Sequence, residues 1–101
     1  MESALKALAH EGRREILALI SSAERSVNDL AEHFPDISGP AVSQHLKVLR
    51  DAGLVDVRKE GTFRYYRANA DQLEELRQEL EVFWAPAIDR LNAEMTKDSD
   101  E

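Results

Sequence analysis

At Gly53 the apolar pattern of this chain changes its period. Before it, Val42, Leu46 and Leu49 recur at helical spacing; after it, Val55 and Val57 alternate with Asp56 and Arg58. Beyond Glu60-Gly61, Phe63 and Tyr65 alternate with Arg64 and Tyr66. A helix that stops at a left-handed glycine and hands over at once to a two-stranded hairpin leaves few architectures open. The hairpin's tip, residues 59–62, is polar with basic flanks. A lone hairpin is marginal in water, so this one must pack on the helices in front of it. A chain of 101 residues closes one small core, which excludes a dinucleotide fold or a barrel enzyme.

The segments before Gly53 read as helices. Leu5, Leu8 and Ala9 predict a short amphipathic helix that His10-Glu11-Gly12 interrupts, and Ile16, Leu17 and Ile20 predict a second. Ser26-Val27-Asn28-Asp29 has capping-box spacing, with Ser26 as N-cap and Asp29 three residues on. Val27, Leu30, Ala31 and Phe34 then give a third helical stripe, which Pro35-Asp36 ends. Ser38 is placed to cap a fourth helix over 40–52. Two helices joined by so short a turn outline a helix-turn-helix, an outline that an ordinary helical hairpin shares.

After the hairpin, Leu73, Leu76, Leu80, Phe83, Ala87 and Leu91 predict one long helix, widened on the same face by Trp84 and Ile88. Pro86 removes a backbone donor and predicts a kink or break near residues 82–85. The chain is expected to form a single domain over 1–95, followed by an acidic disordered tail at 96–101. The fold class is mainly α with a small β-hairpin, in the order α-α-α-α-β-β-α. Leu76, Leu80, Phe83, Trp84, Ile88 and Leu91, joined by Leu5 and Leu8, make more apolar surface than one small core covers, and are expected at a homodimer interface. The competing reading folds the last helix back into its own domain.

Charge is unevenly spread. The net charge is −7, yet residues 1–67 hold ten basic and ten acidic side chains, so all the excess is C-terminal. Residues 37–67 carry six basic side chains (Lys47, Arg50, Arg58, Lys59, Arg64, Arg67) against three acidic ones. That stretch is the one candidate for meeting a polyanion, because a phosphate backbone answers to a local basic face rather than to the whole-chain balance. The longest non-polar run, 82–88, contains a proline, and the first thirty residues hold no signal-peptide core; a cytoplasmic protein without a membrane partner is expected.

Enzyme chemistry finds no footing. With no cysteine there is no disulfide, thiolate zinc site, thiol sensor or thiol nucleophile. Ser43, His45 and Asp51 cannot form a triad, since residues two apart on a helix point about 200° apart. His10-Glu11 begins like a zinc-protease motif, but Arg14 stands where its second histidine belongs. His45 reads as a packed residue donating one hydrogen bond, and Glu74, Glu75, Glu79 and Glu81 as a solvated face. No catalytic residue, metal ligand or cofactor is assigned, leaving a zinc site shared between chains through His10, His33 or His45 as the open alternative.

The arc opposite Val42, Leu46 and Leu49 holds Pro40, Ser43, Gln44, Lys47, Arg50 and Asp51. Ser and Gln can hydrogen-bond base edges, Gln being suited to adenine, while Lys47 and Arg50 can hold flanking phosphates. The bland alternative is a solvated polar face.

Three strings carry a family resemblance: Ala7-Leu8-Ala9-His10-Glu11-Gly12-Arg13-Arg14-Glu15-Ile16-Leu17, Ser26-Val27-Asn28-Asp29-Leu30-Ala31-Glu32, and Pro40-Ala41-Val42-Ser43-Gln44-His45-Leu46-Lys47-Val48-Leu49-Arg50-Asp51-Ala52-Gly53-Leu54-Val55. Over about Ala4 to Leu91 the chain resembles the ArsR family of bacterial transcriptional regulators, and Gly61, Tyr65 and Tyr66 agree with that family's wing. The resemblance implies a winged helix-turn-helix homodimer, its second motif helix in the major groove, its wing beside the backbone or minor groove, and its first and last helices at the dimer interface. It implies DNA contacts from Ser38, Pro40, Ala41, Ser43, Gln44, Lys47 and Arg50, and from Arg58, Lys59, Thr62 and Arg64 of the wing. Metal-sensing members carry paired cysteines around Val27, where this chain has Ser26 and Asn28; others hold zinc through Asp and His on the last helix, which here has no histidine. The chain therefore resembles the sensor-poor subgroup, some members of which regulate their own operon without a small inducer. In the first turn, His10-Glu11-Gly12 replaces a frequent Asp-Pro-Thr.

The expected function is that of a sequence-specific regulator, a repressor in the first instance, binding a pseudo-palindromic duplex operator as a homodimer; any inducer is unknown. The alternative from another class is a winged-helix protein-interaction module that works through its acidic C-terminal helix.

Overall fold

The computed structural model describes residues 1–99. Its elements run α1 (Glu2–Leu8), α2 (Glu11–Ser22), α3 (Val27–His33), α4 (Gly39–Asp51), β1 (Val55–Glu60), β2 (Phe63–Ala68) and α5 (Ala70–Ser99). The order and the two-stranded antiparallel hairpin are those expected from the sequence.

The ends of the helices are set locally. Ser26 and Asp29 complete the capping box of α3, each side chain meeting the other's backbone N–H. Ser38 Oγ accepts the N–H of Ala41 at 3.2 Å and starts α4, with Pro40 in the first turn. At the other end of α4, Gly53 has φ +82°, its N–H donates to the carbonyl of Arg50, and the N–H of Leu54 donates to the carbonyl of Leu49. These are the two bonds of a Schellman motif, and Leu54 and Leu49 are both buried beneath it. Asn69 Oδ1 accepts from Gln72 N and opens α5.

Four local expectations need correction. The interruption between α1 and α2 is Ala9-His10 rather than His10-Glu11-Gly12, because His10 Nδ1 accepts the N–H of Gly12 at 3.1 Å and acts as the N-cap, so α2 begins at Glu11. The face of α1 that turns inward is Ala4 and Ala7, while Leu5 is exposed and Ala9 lies outside the helix. The wing's tip is shorter than 59–62: Lys59 pairs with Arg64 and Glu60 with Phe63, leaving only Gly61 and Thr62 to turn. Gly61 takes φ +61° at the first turn position, as a type II′ hairpin requires. Finally, α5 is not broken at Pro86. Its backbone is helical to Ser99, past the boundary at 95/96 where a disordered tail was expected; residues 100 and 101 of that tail lie outside the described residues.

Ile16 and Ile20 of α2, Leu30 of α3, Val42, Leu46 and Leu49 of α4, and Leu54 after it are fully buried and form the centre of the core. Val55 and Tyr66 bring the hairpin's inner face onto these helices. A second tie holds the hairpin at its base: Arg25, in the loop after α2, exchanges both backbone hydrogen bonds with Tyr66, at 3.0 and 2.8 Å. The lone hairpin thus gains one bonded residue of a third strand.

Only the first turns of α5 join this core, through Leu76, which is buried, and Leu73 and Leu80, which pack partly against it. Beyond them the helix projects, giving the molecule extents of 65 × 28 × 22 Å. Among the described residues no helix is long and apolar enough to cross a membrane.

Candidate nucleic-acid interface

Burying Val42, Leu46 and Leu49 turns the opposite side of α4 to solvent, and Ser43, Gln44, Lys47 and Arg50 are all exposed on it. Lys47 reaches Asp51 one turn on at 3.4 Å, a loose pair with both side chains about two-thirds exposed, which a phosphate can displace at little cost. Of the remaining expected contacts on this helix, Pro40 is exposed, Ala41 is half-buried, and the hydroxyl of Ser38 is occupied as the N-cap.

The pairing of the wing sorts its cations onto two faces. Side chains alternate across a sheet, so Lys59 and its cross-strand partner Arg64 share the face that carries Val57 and Tyr66. Arg64, Thr62 and Tyr66 line one groove with Ser26, Asn28 and Ser43, of about 290 Å³. The wing and the helix-turn-helix therefore present hydroxyl, amide and guanidinium groups to a common channel. Among the described residues, Arg50, Lys59 and Arg64 form no salt bridge.

Arg58 lies on the other face and is engaged. Its guanidinium donates to both carboxylate oxygens of Glu24, with the shortest contact at 2.7 Å, donates to Glu60 at 2.7 Å, and sits 4.8 Å over the ring of Tyr65. These bonds raise its pKa further above the ordinary guanidinium value, and the same bond holds Glu24 below the usual carboxylate range. The geometry does not bring Arg58 together with the other expected DNA contacts. Glu24 went unnoticed in the sequence because its partner is 34 residues away.

His45 is half-buried on the side of α4 that faces α1 and α2. Its Nδ1 accepts from Arg13 Nε at 3.3 Å, a bond with no sign in the sequence. Burial, then the neighbouring His10 and Arg13, lower its pKa. No group of three or more metal-ligating side chains occurs among the described residues.

Of the expected interface residues, Leu76 belongs to the protomer's own core. Leu5, Phe83, Trp84, Ile88 and Leu91 are exposed. With the partly buried Leu80, Trp84 and Ile88 line an apolar groove of about 440 Å³ on α5.

A capped helix-turn-helix, an exposed polar arc on its second helix and a basic wing beside that arc define a winged helix-turn-helix DNA-binding protein. The family described as "Bacterial regulatory protein, arsR family" matches residues 10–57. The arsenical resistance operon repressor of Staphylococcus aureus is 39% identical over 82 residues, covering 81% of this chain and 78% of that one. A crystal structure of a possible transcriptional regulator for arsenical resistance superposes with a TM-score of 0.78 at 47% identity, covering 91% of this chain and 95% of the other. The homodimeric winged helix-turn-helix DNA-binding domain Mb0332 of Mycobacterium bovis, solved by NMR, gives 0.68 at 33% identity over 81% and 75%. The chain belongs to the ArsR family of bacterial transcriptional regulators.

Proposed function

We propose that this protein is a sequence-specific repressor that binds a pseudo-palindromic duplex operator as a homodimer, in the bacterial cytoplasm, and that its own operon is among its targets. The observation that carries this reading is the common channel between Ser43 and Arg64, flanked by the exposed Gln44, Lys47 and Arg50 and by the unpaired Lys59. With α4 in the major groove, Ser43 and Gln44 meet base edges, Gln44 offering a bidentate match to adenine. Lys47, Arg50, Lys59 and Arg64 take the flanking phosphates. Thr62, in the wing's turn between Glu60 and Phe63, takes the backbone or minor groove. Arg58 serves instead as a brace that ties the wing to the loop carrying Glu24.

One recognition helix reads too few base pairs for useful specificity, and a two-fold pair of such helices reads two half-sites. The exposed Phe83, Trp84, Ile88 and Leu91, with Leu5 of α1, supply apolar surface for that pairing. The homodimeric state of the Mb0332 domain and the repressor role of the staphylococcal relative support this assembly and this direction of control.

Gln44→Ala tests the reading. It should cost about 1–3 kcal/mol on the best-binding duplex and little on random DNA, because it removes a base-edge contact and no charge. Equal losses on both would show that Gln44 does not read bases and that the recognition face is wrongly placed.

A further inference from the structure

We propose that His10, Arg13 and His45 form a proton-sensitive latch: with the His45 imidazole neutral it holds α1 and the following turn against the recognition helix, and protonation of His45 at mildly acidic pH releases them. Both rings are hydrogen-bond acceptors at Nδ1. His10 takes the N–H of Gly12 at 3.1 Å, and His45 takes Arg13 Nε at 3.3 Å. A backbone amide and a guanidinium can only donate, so each Nδ1 must be unprotonated for the bond to exist. The same guanidinium, through Nη1, lies 3.5 Å from the carbonyls of Lys6 and Ala7 in the last turn of α1. One side chain thus ties α1 to α4 and depends on a neutral histidine to do so.

The two rings are packed together, centroids 4.6 Å apart and planes tilted by 52°. Gly12 makes room for this. A Cβ there would stand 3.2 and 3.3 Å from Cε1 and Nδ1 of His10, and 3.8 Å from Nε2 of His45. A proton on either ring would turn an acceptor toward a donor and place a cation against the other ring, beside Arg13.

Among the described residues no carboxylate is bonded to this group. Lys6 and Asp51 share a cleft with Arg13, but Asp51 is paired with Lys47. On α3, the other helix packed on α4, Asp29 is held in the capping box, the His33 ring is bonded to the carbonyl of Asp29, and Glu32 is exposed. Asp56 of β1 accepts from Asn69, and Arg58 is taken by Glu24 and Glu60. Glu11 and Glu15 of α2 are exposed and make no ion pair among the described residues, and the charges that act on His45 are those of His10 and Arg13, both of like sign. Burial and the same neighbours already hold the pKa of His45 below its ordinary 6.5. A lowered folded-state pKa contributes stability that is complete above the unfolded value and is lost as the pH falls below it toward the folded one.

The latch stands on geometry alone; its consequence for DNA rests on the function proposed above. α1 carries the exposed Leu5, assigned above to the dimer surface, so its release should loosen the homodimer and with it the grip on an operator.

Hydrogen-exchange protection factors of the α1 amides, measured without DNA at about pH 7.5 and about pH 5.5, test the latch. Wild type should lose α1 protection severalfold at the lower pH while α3 keeps its own. Its unfolding equilibrium constant should rise by roughly three- to tenfold over the same interval, the amount one histidine held neutral supplies. The double variant His10→Asn with His45→Gln keeps a cap and an acceptor that do not titrate, and should show neither change. His33→Gln should behave as wild type. Equal α1 protection at both pH values in wild type, or an equal loss in the double variant, would overturn the latch. Should the double variant fail to fold, an NMR titration of the wild-type His45 ring decides: titration at the ordinary value with no accompanying α1 amide shift also overturns it. Loss of DNA binding at every pH would count against the proposed function and leave the latch standing.

Discussion

Arg58 and Arg64 carry the same guanidinium and meet different neighbours. Arg64 shares a groove with Ser43 and has no ion pair, whereas Arg58 is held by Glu24 and Glu60 over Tyr65. Arg64→Ala should therefore weaken binding to every duplex alike and flatten the dependence of log affinity on log salt by about one unit, as the loss of one phosphate contact does. Arg58→Ala should leave that slope unchanged. A fluorescence-anisotropy titration of both variants across a salt series checks the pair, and a flattened slope for Arg58→Ala would remove its role as a brace. The sequence showed both as basic residues flanking a polar tip. It could not distinguish them, because strand alternation puts them on opposite faces and the acid that neutralises Arg58 lies in a distant loop. Gln44 and Ser43 were legible, since the same helical period that buries Leu46 must expose them.

At the scale of elements, the legible features were those with local causes. Ser26, Ser38 and Gly53 act within a turn of where they stand, so capping spacing and a terminal glycine were enough to place α3 and α4. Ser26→Ala should cost about 0.5–2 kcal/mol in a urea unfolding series. Leu46→Ala should cost about 2–5 kcal/mol, because Leu46 is fully buried where α4 meets the core. A Leu46→Ala cost below that of Ser26→Ala would contradict the core described here. What escaped the sequence depends on packing between elements. Nothing in the sequence singled out Ala4 and Ala7, yet these are the residues α1 turns inward, and small side chains let it lie close on its neighbours. The capping role of His10 was not legible because histidine is an uncommon cap, and Gly12 leaves room for its ring. Pro86 removes one hydrogen bond from a helix of 30 residues, and the turns on either side propagate through it.

The whole molecule has one core and a projecting helix. Leu73, Leu76 and Leu80 anchor α5, whereas Phe83, Trp84, Ile88, Leu91 and Met95 stay exposed along it. A charge at Ile88 tests assembly more cleanly than one at Leu80, which also packs against the protomer's own core. Ile88→Asp should give monomers by sedimentation equilibrium, with unchanged helix content and loss of operator affinity; a wild type that is monomeric at micromolar concentration would remove the dimer. The absence of cysteine leads to a second expectation at this scale. Adding zinc and then a chelator to an operator complex should change its affinity by less than tenfold, about 1.4 kcal/mol. A larger, reproducible change would make His10, His33 or His45 a ligand.

In the function proposed above, two copies of α4, held at a fixed spacing, read two half-sites of duplex DNA. Selection of bound sequences from a random duplex pool addresses it directly. The recovered sequences should contain an inverted repeat whose half-site centres lie about 10–10.5 base pairs apart, or a multiple of that. A pool that shows no enrichment, or that yields a single unrepeated site, would contradict it.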